Sequence, residues 1–553
     1  MEINPEAHKN IIQTLSALRT DRLPFWRLWQ ELARFYLPKR YVALATDKER
    51  RLRDAKNPNI IDATGTTAAR ILAAGMMNGV TSPARPWFSL QVPGFMDDPQ
   101  NEGKMWADEV TRRMQLVMSE TNFYNALATL YLDLGVFGSA ALLIYEDDND
   151  VFRCFNPALG EYYFGQDDGL RVNQFAREFR YTVRQMVAKW GKENCSEAVQ
   201  AAYTTGGARL QEEHTICHLI EPNDTDSTLP KVFKFRETYW EEKCTNGCVL
   251  AMNGFYSLPG VFPRWEVTAN DSYGTSPGMD ALGDVIQLQL ETKRKAQGLD
   301  KMVRPPLVAD VQLQHQPTAL VPDGITYVAG INNVGVKPIY QVQIPIAELS
   351  ADIQDVRSRI KEIFHNDLFN MISQLSTVRS ATEIDARREE KLVLLGSVLE
   401  RFENEALDPA VARIYQIMDR AGLIPEPPDS IQGMQLKIQY ISILATAQQA
   451  VAAIPTERFV ALIGQVAGAA PIALQIPNWD SLLRNYADAI GVKTRDLNTP
   501  QQVAELQQEQ EKQIEAQQAQ VTGKNLVDGA RTLSETDVGG GSNALQQVLG
   551  ATQ

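Results

Sequence analysis

The sequence predicts an α+β chain that is mainly helical, and three features predict it. Apolar residues recur at helical spacing over much of the chain. Between about 150 and 265 the pattern changes to short alternating runs, which is the signature of antiparallel strands. Between 273 and 369 two helical patterns flank a proline-marked stretch rich in β-branched residues. In the first, Met279, Leu282, Ile286 and Leu290 are spaced as one face of a helix; in the second, Ile353, Val356, Ile360 and Ile363 do the same. Pro305 and Pro306 end the outward helix, because proline lacks the amide donor and restricts the residue before it. A helix of ~25 residues is about 37 Å long. The stretch therefore reads as a stalk of two helices with a small tip.

Size and composition bound the rest. A chain of 553 residues accommodates several domains and a large core. With 44% hydrophobic and 22% charged residues it is not globally disordered. Its 54 basic and 68 acidic residues leave a net charge of −14. That opposes tight DNA binding over the whole surface and leaves room only for local basic bands. Five cysteines make no disulfide framework, so a reducing compartment is expected. The start, MEINPEAHKN, has no basic region followed by an apolar one, so no signal peptide is expected. Phe459 to Ile476 is the most apolar run, but Gln465, Pro471 and many small residues make it a packed helix rather than a membrane span.

In chain order, residues 5–38 read as helix, with Ile11, Leu15 and Leu18 forming one stripe and Trp29, Leu32 and Tyr36 another beyond Pro24. From Asp62 a helix of small residues, ATGTTAARILAAGMMNGV, permits close backbone approach to a neighbour. SPARPWFSLQVP is a turn and a strand, 101–135 two helices, and AALLIYED a buried strand. The strand-rich block is interrupted by one helix, TVRQMVAKWG. After the stalk, a long helix begins at Ser380, where Ser380 and Glu383 have capping-box spacing. Its apolar face runs through Leu392, Leu395, Leu399, Phe402 and Ala406. Pro409 is expected to kink or break it, and Gly422 with Pro425, Pro427 and Pro428 to stop it. Residues 432–490 read as three helices separated by Pro455 and Pro471. QQVAELQQEQEKQIEAQQAQ is helical with little core to bury, and 522–553 is a tail of low complexity.

Chemistry-bearing motifs are scarce. His214, Cys217 and His218, with Cys244 and Cys248, have the wrong spacing for a zinc ribbon or finger. On a strand, His214 and His218 share a face and Cys217 points away; Asn246-Gly247 is a hairpin turn signal. A strand and a turn are the expectation there. Gly523-Lys524 lacks the rest of a phosphate-binding loop. Glu389 and Glu390 stand beside Arg387, Arg388 and Lys391 on a solvated face. No cofactor, metal or catalytic residue is expected, and the chain is read as not an enzyme.

Three stretches carry a resemblance: GMMNGVTSPARPWFSL (Gly75 to Leu90), LPGVFPRWEVTANDSYGTSPGMDAL (Leu258 to Leu282) and KMVRPPLV (Lys301 to Val308). They resemble the head-to-tail connector, or portal, proteins of short-tailed bacteriophages, and the resemblance covers roughly residues 8 to 500. It implies a portal-type fold and a homo-oligomeric ring, usually of twelve subunits, at one capsid vertex of the virion, assembled in the host cytoplasm. Through it double-stranded DNA is packaged by a separate terminase and later ejected. Tail adaptor, major capsid and scaffolding proteins are its implied partners, and no membrane is. A tail adaptor or tube protein without a packaging role is the second reading.

Carried onto this chain, the resemblance implies a wing in 1–272, stem helices in 273–304 and 345–369, and a small α/β clip in 305–344. A tunnel loop in 370–379, a further wing helix in 380–431 and a crown in 432–492 follow, with 493–553 a Gln-rich tail, disordered or barrel-like. The DNA-facing loop comprises Asn370, Met371, Ile372, Ser373, Gln374, Leu375, Ser376, Thr377, Val378 and Arg379; Arg379 has a rival role, pairing with Glu383. Tyr327 and Tyr340 are clip residues expected to meet tail adaptor or terminase. Lys293, Arg294, Lys295, Lys301 and Arg304 outnumber Glu291 and Asp300 on the stem. Repeated around a ring, they form a band that meets DNA or the capsid wall, or they are solvent-facing or bridge subunits.

Overall fold

A computed structural model describes residues 5–40, 44, 60–92, 102–223, 229–243, 249–303, 307–309, 336–338, 345–374 and 395–441, and scattered positions from 456 to 531. The chain divides into two compact units. The first is Met1–Gln91, Ala107–Glu426 and Lys437–Ile454; the second is Val92–Trp106, Pro427–Leu436 and Pro455–Gln553. In the second, 459–465 is helical around a buried Ile463, and the described positions among 502–513 are helical too.

In the first unit, helix α1 (Pro5–Phe35) is one 31-residue helix with Pro24 inside it. Both expected stripes are buried. Ile11, Leu15 and Leu18 lie on one face of a five-stranded antiparallel sheet, against Tyr163, Ala176, Cys217, Leu219, Trp240 and Val249. That sheet is a meander of β4 (Tyr162–Gln166), β5 (Val172–Thr182), β6 (Glu213–Pro222), β7 (Phe235–Glu241) and β8 (Val249–Phe255). Its other face carries Ile216, Tyr239 and Leu250, each one residue out of step with Cys217, Trp240 and Val249. This is the period-two alternation of a sheet buried on both sides. Two short helices cover that second face: Val183–Trp190, closed by a Thr182–Gln185 capping box, and Glu197–Thr205. The first was expected; the second was not, since nine residues give too few turns for a clear stripe. The HTICH segment is strand β6, as expected, while the CTNGC turn lies outside the described residues.

Helix α2 (Thr64–Val80) is the small-residue helix, and strand β1 (Phe88–Gln91) follows it. Helices α3 (Glu102–Glu120) and α4 (Phe123–Phe137) come next, then β2 (Leu142–Asp147) and β3 (Val151–Phe155), which form a three-stranded sheet with β9 (Gly260–Val261).

The stalk begins with a short helix, Pro277–Asp280, and continues as α8 (Leu282–Val303), the short helices at 183, 197 and 277 being α5, α6 and α7. The return is α9 (Ile346–Ile363), which packs along α8. Between them, β10 (Leu307–Ala309) and β11 (Val336–Pro338) pair antiparallel. Where one continuous helix to 369 was expected, the chain breaks at His365, which takes a left-handed conformation (φ 52°), and restarts as α10 (Asn366–Gln374).

Beyond the stalk, α11 (Gly396–Phe402) runs into a π-helical turn, Glu403–Leu407, and then into α12 (Asp408–Arg420). Pro409 therefore does not break the helix. It sits in the first turn of α12, where no amide donor is required, and the wide turn before it absorbs the missing bond. The segment after it corrects another expectation. Lys437–Tyr440 is not helical; it is strand β12, paired with β1 in the register Phe88 to Tyr440. Its alternation, KIQY, is too short to outweigh helical neighbours when read alone.

Candidate functional site

The stalk is held by a socket, and the Leu258–Leu282 stretch, one of the three that carried the resemblance, lies in it. Gly138, after α4, has φ 78°, a conformation open to glycine, and a Cβ there would lie 2.2 Å from the carbonyl oxygen of Gly274. The two segments thus touch backbone to backbone. Ser139 Oγ accepts from the Gly274 amide at 2.8 Å. Ser276 Oγ donates to the Val136 carbonyl (2.7 Å) and accepts from the Met279 amide (3.2 Å), so one hydroxyl both caps α7 and ties it to α4. Tyr273 is buried, with its ring 5.0 Å from Trp29 of α1 and 5.4 Å from Phe164 of β4. Its hydroxyl accepts from the Phe164 amide.

Arg264 is also buried, 3% exposed. Its guanidinium donates to Glu405 of the π-helical turn at 2.7 and 3.2 Å, to the Leu170 carbonyl at 2.7 Å and to Gln166 at 3.1 Å. Its own amide also donates to Glu405. A buried guanidinium needs its donors matched, and here one arginine joins the strand block, the loop before the stalk and the helix after it.

A second clasp grips both stalk helices together. Gln289, 6% exposed on α8, accepts from the amides of Ile61 and Asp62 and donates to the Asp62 carbonyl. Arg357 on α9 donates twice to Asp62 Oδ2, at 2.7 and 3.0 Å, while Oδ1 accepts from Thr64. Burial alone would raise the Asp62 carboxyl; the hydrogen bonds from Thr64 and Arg357 outweigh it and hold the group below the usual range. Further along, Arg359 of α9 reaches Asp284 of α8 at 3.1 Å, and Lys295 Nζ donates to Ser350 Oγ at 2.7 Å.

Behind α9, the small residues of α2 make room. Phe369 of α10 packs where a Cβ on Gly75 would be, and Tyr36 of α1 stands 5.7 Å from Phe364. The close approach expected of α2 is thus made within the chain, to α4, α9 and α10.

The expected site residues fall as follows. Lys293, Arg294 and Lys301 are exposed on α8, and Lys295 is partly covered and bonded to Ser350. Arg304, Tyr327 and Tyr340 lie outside the described residues. Of the stretch expected as a loop, 370–374 forms the end of helix α10, and 375–379, Arg379 included, lies outside the described residues. Met279, Leu282, Ile286 and Leu290 do not form the packing face of α8. Leu282 is buried, but the helix packs through Val285, Leu288 and Gln289, and Ile286 and Leu290 face outward. On α9, Ile353, Val356 and Ile360 are buried as expected.

The clasps were missed. A polar Gln289 four residues after Val285 was the available signal, since it shares the buried face; Asp62 and Arg357 are too distant in sequence to be linked by spacing. No helix among the described residues is long and apolar enough to cross a membrane, and no group of three or more His, Cys, Asp or Glu among them could hold a metal ion.

Comparison with known proteins bears on this arrangement. Residues 8–497 match the family model described as bacteriophage head to tail connecting protein. The chain is 38% identical to the portal protein of Salmonella phage epsilon15 over 555 residues, which cover 99% of each chain. It is 37% identical to the probable portal protein of Bordetella phage BPP-1 over 548 residues, 98% of each.

Proposed function

Since the chain belongs to the family of bacteriophage head-to-tail connecting proteins, we propose that it closes into a ring at one capsid vertex. Through that ring DNA is packaged and ejected, and to it terminase and tail attach. The observation that carries this is the match to portal proteins over almost the whole of both chains. The socketed stalk supports it: a helix pair gripped at one end and bearing a β-ribbon beyond Val303 suits a docking device. A net charge of −14 suits a conduit that must not hold phosphates. The role is structural, and a separate motor supplies the work.

In this reading α8 and α9 are the stem. The 305–344 segment, with Tyr327 and Tyr340, is the clip that meets tail adaptor or terminase. The regions before and after the stem make the wing, and residues 432–492, which include β12, make the crown toward capsid and scaffolding proteins. The chain meets DNA from the exposed Asn370, midway along α10, through to Arg379. The ring follows the family, usually twelve subunits.

The test is negative-stain microscopy of the purified full chain, with and without residues 375–379. Rings with an open channel are expected from both, and phage carrying the deletion should package or retain less DNA. A chain that stays monomeric at every concentration overturns the ring. A deletion that abolishes rings overturns the DNA-facing role.

A further inference from the structure

We propose that the basic stripe of α8 is a subunit contact, and that its partner is the acidic stripe of α9 on the next copy of this chain. The proposal rests on the ring reading and adds which surfaces close it. Ile286, Leu290, Lys293, Gln297 and Lys301 recur at spacings of four, three, four and four residues, and all are exposed. They form one stripe of a helix. Its lower part is apolar, with Ile286 38% and Leu290 46% exposed. Arg294 flanks the upper part.

On α9, Glu348, Asp352, Asp355, Arg359 and Glu362 recur at four, three, four and three, again all exposed. The arginine of that stripe is occupied within the chain by Asp284 and Asp355. What remains facing outward is acidic.

The two stripes cannot meet within one chain. Arg359 places the acidic stripe beside Asp284, and Asp284 is two residues from Ile286, hence about 200° around α8. The stripes therefore lie on opposite flanks of the helix pair. They also overlap in height. The contacts Asp284 to Arg359 and Lys295 to Ser350 set the antiparallel ladder, which brings Lys293 and Arg294 level with Asp352. Rotation about a ring axis preserves height along it. When the stem runs along that axis, each copy's α8 stripe faces the next copy's α9 stripe, as a closing head-to-tail interface requires. Electrostatic complementarity fixes register, and the apolar part of the stripe is covered. DNA phosphates are the competing ligand for the same bases, and the two occupants predict different experiments.

The test mixes two variants of the full chain. In the first, Lys293→Glu and Arg294→Glu make both stripes acidic; in the second, Glu348→Lys and Asp352→Lys make both basic. Circular dichroism confirms the fold of each. Neither variant alone should form rings, and an equimolar mixture should recover them with subunits alternating. Wild-type rings together with normal rings from each variant, and reduced DNA retention only in the first, would overturn the proposal in favour of DNA. Failure of the wild type itself to form rings would overturn the ring reading, and this proposal with it. Loss of rings by both variants without recovery in the mixture would also overturn it, because complementary stripes must rescue each other.

Discussion

Replacing Gly75 by alanine should weaken the seat of the stalk, against the ordinary preference of helices for alanine. Gly75 lies within α2. In an open helix the change would gain roughly 1 kcal/mol, because glycine loses more backbone freedom on folding. Here the new Cβ would stand 2.2 Å from Phe369 Cδ1 and Cγ and 2.4 Å from Phe369 Cβ. Carbon contacts are comfortable from about 3.5 Å, so the side chain must retreat by about 1.3 Å. Rotating the ring does not help, because the Phe369 Cβ itself is struck, so α10 must move. Phe369, Leu368 and Phe364 are all buried, and nothing there is slack. Overpacking of this kind costs about 1–3 kcal/mol, and at the upper end the net loss is about 2 kcal/mol after the helical gain.

Phe369→Gly removes the struck Cβ as well as the ring and alone should cost about 4–6 kcal/mol, through the cavity it leaves and the glycine placed in α10. In that background Gly75→Ala should reverse sign and stabilise by about 1 kcal/mol, a coupling of about 3 kcal/mol. The chain has two units, so a single global transition is not assured, and the suitable assay is amide hydrogen exchange followed through α2 and α10. Gly75→Ala should lower protection there in the wild-type background and raise it in the Phe369→Gly background. The same sign in both backgrounds would refute the steric account.

Two more perturbations probe the socket and the sheet. Glu405→Ala strands the buried Arg264 guanidinium; with Glu405 itself about a fifth exposed, the lower end of the usual cost applies, about 3 kcal/mol, read as a shift in the unfolding transition, and an unchanged transition would show that Leu170 and Gln166 suffice. In the sheet, His218 Nε2 lies 2.8 Å from Glu237, and Arg177 donates to its Nδ1, so the ring is neutral with its proton on Nε2. Burial first, and then Arg177 and Lys189, push His218 from 6.5 down to about 4, against the opposing pull of Glu237. Between those values the unfolded chain binds the extra proton, so His218's contribution is present above about 6.5 and is lost as pH falls toward 4, by up to about 3 kcal/mol. His218→Gln keeps a donor and an acceptor without titrating, so urea midpoints of the two proteins should diverge across that window; parallel curves would count against it.

Much of the fold was legible because its cores follow period. The stripes of α1 and α9 and the strands of the meander repeat at intervals that a single chain displays. Three things were not legible, each for a physical reason. The break at His365 rests on one left-handed residue that leaves no mark on hydrophobic spacing. The strand β12 exists because β1, far away in sequence, offers it an edge. The outward turn of Ile286 and Leu290 arises because α8 packs through Val285, Leu288 and Gln289, and a helix with two apolar stripes does not say which one its own chain will cover. The clasps and the Arg264 network were hidden for the same reason as β12, since their partners meet only in the folded molecule. Of the residues first singled out for function, the exposed bases of α8 are the ones whose surroundings the structure describes most fully.

The Asp62 clasp has a consequence for synthesis. Its ligands are Gln289, 227 residues later, and Arg357, 295 residues later. At roughly 5–20 residues per second, about 15–60 s separate translation of Asp62 from translation of Arg357. Throughout that interval the start of α2 waits without its lock, and closure of so long a loop comes late in folding. A nascent stalk therefore cannot be seated until the chain is through α9. The stalk becomes fixed to the start of α2 only after nearly two-thirds of the polypeptide has been translated.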